Sequence, residues 1–384
     1  MYVTRPLSHF RRFPSALSTA PEGPNSGYLV VLDDEAENTC CFGSCEDPRI
    51  YQLPFPQNKT FTVRFTSSTG SNGNSSSSRD VIFIPVINQP LSSNLYYAIE
   101  PHGRLKGEVQ SNLKAEEVAC CCWNELIPDA NLELFDPGNV RQHFMIYPYE
   151  SLFNSGCFCA RSVVQDGCPP RFLSKKGWRL YTDKSIYMDE ALGVDMSSRA
   201  RHPSLDFPLD WTRSMGMVVG KWYCPFLFVR DGSLADQVKK SMFYEMTLKQ
   251  RWEQVYACEN IPQRDTIVVD VVIEDEVVHV GGNKAEWRDE VGGVMWFRGG
   301  KGEKDKVGLS MAIVERMKWE EERAGWVGGE GRKAAVRTEV EIDREGKRLG
   351  CYMLVERFVL RRMDGSVALT YDFMHSHVIN TKLE

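Results

Sequence analysis

At roughly 150 residues per domain, 384 residues are long enough for two domains. A content of 42% hydrophobic and 26% charged residues is that of an ordinary globular protein. With 46 basic against 52 acidic residues the net charge is −6, which gives no electrostatic footprint for nucleic acid and excludes it as a partner.

No apolar run approaches the roughly 18 residues of a spanning helix, so no transmembrane segment is expected. The stretch Met1 to Ala20 lacks the apolar core of a secretory signal, which favours a reducing, cytoplasmic location with passive access to the nucleus. A competing reading is import into plastid or mitochondrion, since Arg5, Arg11 and Arg12 precede the first acid, Glu22. Pro6 and Pro14 break the amphipathic helix that such a leader needs.

In chain order, the turn cluster at Pro21–Asn25 precedes a buried strand at Tyr28–Leu32. Thr60–Phe65 and Asp80–Val86 read as strands flanking a Ser/Gly/Asn stretch, 67–78. That stretch has no side chain worth burying and is expected to be a flexible loop. Residues 88–215 are irregular, with short strands at Tyr96–Glu100 and Trp178–Thr182.

The character changes near residue 217, where long alternating runs begin. Met242–Cys258 alternates apolar with polar residues; a helix through Leu248, Trp252, Val255 and Tyr256 competes, and the strand is preferred. Val307–Trp319 and Val367–Leu383 alternate likewise. Thr266–Val280 and Leu349–Leu360 are apolar on both faces, as central strands would be. Met363-Asp364-Gly365-Ser366 is a hairpin turn. The fold class is therefore mainly β, with α+β as the alternative. An irregular, Cys-rich, β-containing lobe (1–216) is followed by a long-stranded antiparallel sandwich or barrel (217–384).

Familiar catalytic signatures are missing. Gly299-Gly300-Lys301-Gly302 and Gly328-Gly329-Glu330-Gly331 lack the phosphate-loop spacing. Gly308-Leu309-Ser310-Met311-Ala312 lacks the second glycine of a nucleophile elbow.

The candidate metal ligands are His375 and His377, two apart on a strand and so on one face, with His279 and Glu315 as further donors. Zinc or another divalent ion is what such a set would take; otherwise no cofactor is expected. The competing reading gives each histidine a backbone carbonyl or water.

Nine of twelve cysteines lie in the first half, including Cys40, Cys41, Cys45 and Cys120–Cys122. Cys41-x3-Cys45 fits a zinc knuckle, but no second knuckle has the usual spacing, so buried reduced thiols are the expectation. Seven of nine tryptophans lie between Trp211 and Trp326. Core packing with snorkelling neighbours accounts for them; a membrane-interface belt or a carbohydrate platform competes.

Longer motifs carry a resemblance. They include Met1–Ser8, Glu22–Tyr28, Leu53–Asn58, Ile84–Leu91, Gly220–Phe226 (Gly-Lys-Trp-Tyr-Cys-Pro-Phe) and Tyr244–Glu253. Val314–Glu320 (Val-Glu-Arg-Met-Lys-Trp-Glu) and Leu354–Leu360 through His375 complete the set. With these the chain resembles, over essentially its whole length, the land-plant family catalogued as domain of unknown function 1262. The resemblance implies no established activity, cofactor or catalytic residue. It implies a loose association with stress and defence, under a provisional label of insecticidal crystal toxin domain.

The expectation is a non-enzymatic cytosolic binding or scaffold protein with an unidentified protein or small-ligand partner. A toxin-like protein acting at a membrane surface is the alternative, and a metal-dependent enzyme or sensor at His375 and His377 is the second. Glu315, Arg357 and Arg361 within the alternating runs count against a lipid-facing side.

Overall fold

A computed structural model of the chain describes every residue except 38, 41–44, 69–73, 115, 117, 118, 122, 123, 150–154, 262–265, 301, 303–305, 330–332 and 342–345. It is mainly β and antiparallel, and divides into two compact units. One comprises Tyr2–Ala191 with Ser233–Lys239; the other comprises Leu192–Gly232 with Lys240–Glu384 and Met1.

In the first unit, β1 (Tyr2–Pro6) leads into helix α1 (Leu7–Arg12) and lies parallel to β2 (Gly27–Val31). A meander follows: β3 (Lys59–Ser68), β4 (Asn74–Pro85) and β5 (Leu95–Ile99) pair in succession. Then β6 (Phe144–Pro148) pairs with β5 and with β7 (Phe158–Ser162), and β8 (Arg179–Ser185) closes on β3. The alternating positions meet in an aromatic core centred on Phe55. Its ring lies 5.1 Å from that of Phe158 and 5.3 Å from those of Phe83 and Tyr96.

The loop expected at 67–78 is corrected here. Ser67 and Ser68 extend β3, and Asn74–Ser78 begin β4 opposite them; only 69–73 fall outside the described residues. A two-stranded ladder is held by backbone hydrogen bonds and needs no apolar side chain to bury.

In the second unit, α2 (Met196–Arg199) is capped by Asp195, whose Oδ1 accepts from the Ser197 and Ser198 N–H groups. The main sheet runs β9 (Met217–Pro225), β10 (Phe243–Ile261), β15 (Gly346–Arg361), β16 (Val367–Leu383), β12 (Glu276–Val280), all antiparallel. Gly193–Val194 and Asn283–Lys284 add short pairings at β9 and β12. The path is open: of the expected sandwich or barrel, the described residues show no closed barrel.

A two-stranded ribbon, β11 (Thr266–Glu274) with β14 (Lys333–Glu341), packs over β10 and β15. Its inward residues, among them Val269, Val271 and Val336, meet Cys351, Met353 and Val355.

The strand preferred for 242–258 is present as β10, the longest among the described residues. The Asp364-Gly365 turn joins β15 to β16, with Gly365 at φ +83°.

Two expected strands are corrected. Thr266–Val280 breaks at Asp275 into β11 and β12, which lie in different sheets. Asp275 is buried at the break, its Oδ2 accepting from the Gly329 N–H at 2.7 Å. In Val307–Trp319 the strand β13 (Lys306–Ser310) stops at Ser310, and helix α3 (Met311–Glu322) follows. Ile313, Val314, Met317, Glu320 and Glu321 recur at helical spacing and are all buried, so two acids disguise the apolar stripe.

The described tryptophans differ in their surroundings, and Trp211 is exposed. Trp222 and Trp252 are fully buried, and Trp319 lies beneath the Arg316 and Arg323 guanidiniums at 4.7 Å each. The six cysteines whose side chains are described, Cys157, Cys159, Cys168, Cys224, Cys258 and Cys351, are free thiols. The side chains of the Cys40–Cys45 and Cys120–Cys122 clusters fall outside the described residues.

Candidate functional site

On one face of the main sheet Leu354, Glu356, Phe358 and Leu360 alternate along β15. Glu356 is thus an acid set in an otherwise apolar stripe. Register places Gln250 of β10 opposite Glu356, and His375 of β16 opposite Leu354. Helix α3 contributes Glu320 and Glu321, and α2 ends at Arg199.

These residues form one network. Arg199 Nε donates to Glu356 Oε1 at 3.0 Å, its Nη1 to the Glu320 carbonyl at 2.9 Å, and its Nη2 to Glu321 Oε1 at 3.3 Å and to Glu356 Oε2. Gln250 Nε2 donates to Glu356 Oε1 at 2.7 Å. His375 Nε2 lies 2.9 Å from Glu321 Oε2 and 3.5 Å from Glu356 Oε2. Arg316 Nη2 pairs with Glu320 Oε1 one turn away on α3.

The cluster is sealed. Glu321 is 0% exposed, His375 1% and Arg199 4%. Burial and the neighbouring Glu356 charge raise the Glu321 carboxyl well above its ordinary range. For Glu356 burial pulls upward too, but hydrogen bonds with His375, Glu321 and Arg199 hold its carboxyl well below that range. Burial opposes the imidazolium of His375, yet hydrogen bonds to Glu321 and Glu356 and their charges carry its pKa up to about 9.

Chemically, four groups able to carry positive charge (Arg199, Arg316, Arg323, His375) face three acids (Glu320, Glu321, Glu356), so the protein's own cations match the acids of the cluster. Among the described residues, Glu321, Glu356 and His375 present ligand atoms within 4.8 Å of one another and could hold a divalent ion. Arg199 already bridges both carboxylates, so an ion would have to displace it.

Of the residues singled out from sequence, His375 and His377 come together, their ring centroids 5.5 Å apart. They are not equivalent: between Met353 and Leu354 the ladder slips, leaving residues 376–378 without partners on β15, and His377 is exposed. Burial and the charge of His375 lower the His377 pKa.

His279 pairs with Thr370, on the face opposite His375. It lies there near the ion-pair group of Asp372 with Arg251 and Arg357. Glu315 is exposed on α3. Neither joins the cluster. The residues missed were Arg199, Gln250, Glu320, Glu321 and Glu356; only Glu356 left a sequence signal, as a charge within an apolar strand face.

With this geometry in place, comparison with known proteins adds the following. A family model described as "Protein of unknown function (DUF1262)" matches residues 22–123. The motifs from Gly220 onward that carry the resemblance lie outside that match. Among solved structures the chain is similar to one titled "Crystal structure of Cry35Ab1". The TM-score is 0.49 at 11% identity, over 86% of this chain and 90% of the other. No curated protein matches. No helix among the described residues is long and apolar enough to cross a membrane.

Proposed function

We propose that this chain is a non-enzymatic, β-rich binding protein. The observation that carries this reading is the sealing of the Arg199–Glu321–Glu356–His375 cluster. Its acid–base groups are closed off from any substrate and spent on holding α2 and α3 to the sheet. The free thiols of Cys157, Cys159, Cys224 and Cys351, all buried, suit a reducing compartment such as the cytosol. A role in plant stress or defence rests on the family resemblance alone.

Native mass spectrometry of protein isolated from its own tissue tests the reading. A bound small molecule or protein partner, with no turnover of it, is the expected outcome. Turnover abolished by replacing one polar residue would overturn the proposal. Permeabilisation of plant-lipid vesicles by the purified protein would put the toxin-like alternative in its place.

A further inference from the structure

The Tyr2–Ala191 unit carries a cleft of about 260 Å3, bounded by α1, the chain following β2, the Asp47–Gln52 segment and the ends of β3 and β8. That is below the roughly 300–1,000 Å3 of pockets enclosing drug-sized ligands, so the occupant is small. Leu7, Leu32 and Ile50 supply an apolar lining, and charged side chains surround it.

Among the described residues those charges balance. Arg11, Arg49 and Lys59 stand against Glu37, Asp47 and Asp183, three of each sign. A net anion such as phosphate meets three carboxylates, and a net cation meets three basic groups. Charge therefore selects for neither.

The polar groups are held in place by the protein. Lys59 is only 14% exposed, with Nζ 2.9 Å from Ser185 Oγ and 3.9 Å from Glu37 Oε1. Asp47 accepts from the Tyr51 hydroxyl at 2.7 Å and from the Arg49 backbone N–H at 3.0 Å. The Arg49 guanidinium stacks over the Tyr51 ring at 4.8 Å, and Arg11 Nη1 donates to the Ala36 carbonyl at 2.7 Å.

An ammonium has three donors, and a carboxylate about four acceptor positions, so Lys59 and Asp47 each keep capacity beyond these bonds. A ligand meeting donors and acceptors side by side around one small apolar-lined space must itself offer both, closely spaced. A hydroxyl does so, being donor and acceptor at once. A ring with several hydroxyls and an apolar C–H face matches the whole lining.

From this we infer that the cleft binds a neutral polyhydroxylated ligand the size of one sugar ring. The inference deepens the binding-protein reading and rests on it.

The test is saturation-transfer NMR and calorimetry on the full chain with glucose, galactose, mannose, xylose, arabinose and rhamnose at millimolar concentration. Glutamate, glucuronate and inorganic phosphate serve as charged comparisons. Saturable binding of at least one neutral sugar is expected. Lys59→Met and Asp47→Asn should each weaken it about tenfold or more, the value of a hydrogen bond to a charged group. Their melting temperatures and circular dichroism should match the parent. If Lys59→Met does not fold, Asp183→Asn takes its place with the same expectation.

Absence of binding by every neutral sugar overturns the inference. So does binding unchanged by the substitutions, and so does binding only of glutamate, glucuronate or phosphate. A neutral sugar that binds in the cleft and is chemically converted there would leave the site standing and overturn the non-enzymatic reading. With neither binding nor turnover the cleft proposal falls alone.

Discussion

His375 Nε2 lies 2.9 Å from Glu321 Oε2, and this contact ties strand β16 to helix α3 inside the Leu192–Glu384 unit. Both groups are fully buried, so their protonation is coupled to folding.

The coupling sets a pH dependence. The folded-state pKa of His375 is raised from 6.5 to about 9, so its contribution is complete below the ordinary value and lost as pH rises through about 9. Glu321, also raised, loses stability in the same direction. A loss on the order of 3 kcal/mol is expected between neutral and strongly alkaline pH. Glu356, held low, acts oppositely and weakens the fold only in acid. Urea titrations across the pH range would show the alkaline decline, and His375→Gln should flatten it.

Replacing Arg199 by methionine leaves Glu321 and Glu356 buried without their shared cation. A loss of about 3–5 kcal/mol is expected, the usual consequence of removing one partner of a buried ion pair. The double variant Arg199→Met/Glu356→Gln should lose less than the sum of the two single changes, read by denaturant unfolding.

Zinc added to the parent protein is expected to leave its thermal midpoint unchanged, because Arg199 and His375 already balance the carboxylates. A rise with zinc that His375→Ala abolishes would show instead that the ion displaces the guanidinium.

In the other unit, Phe55→Ala removes the ring that contacts Phe61, Phe83, Tyr96 and Phe158. A cost of about 3–5 kcal/mol is expected for the cavity, with faster amide exchange throughout β3, β4 and β5.

Much of the β architecture could be read from the chain because alternation is a local signal. Strands β10 and β16 arise from alternating runs and β15 from a run apolar on both faces, each ladder interrupted by a register shift, and the Asp364-Gly365 turn is where the dipeptide places it. Helix α3 was hidden because Glu320 and Glu321 occupy positions where a periodicity search expects apolar side chains. Asp275 concealed the break between β11 and β12 for a similar reason: a single buried acid looks like a polar position within one strand. The cluster was half visible. His375 drew notice as one of a His-x-His pair, but its partner Glu321 lies 54 residues away and Arg199, which bridges the two acids it meets, 176 away, and no local pattern joins them.

The order of the strands along the chain has a consequence for synthesis. Glu356 and Glu321 emerge from the ribosome before His375, and β10 waits for β15 across a long stretch of chain: Ile261 pairs with Gly346, 85 residues on, and Glu245 with Arg361, 116 residues on. Until β16 is made, Glu321 has no imidazole to meet, and the apolar side chains of β15 lack their neighbour. Nascent chains stalled before that strand would thus present a long unpaired edge, a form that chaperones capture.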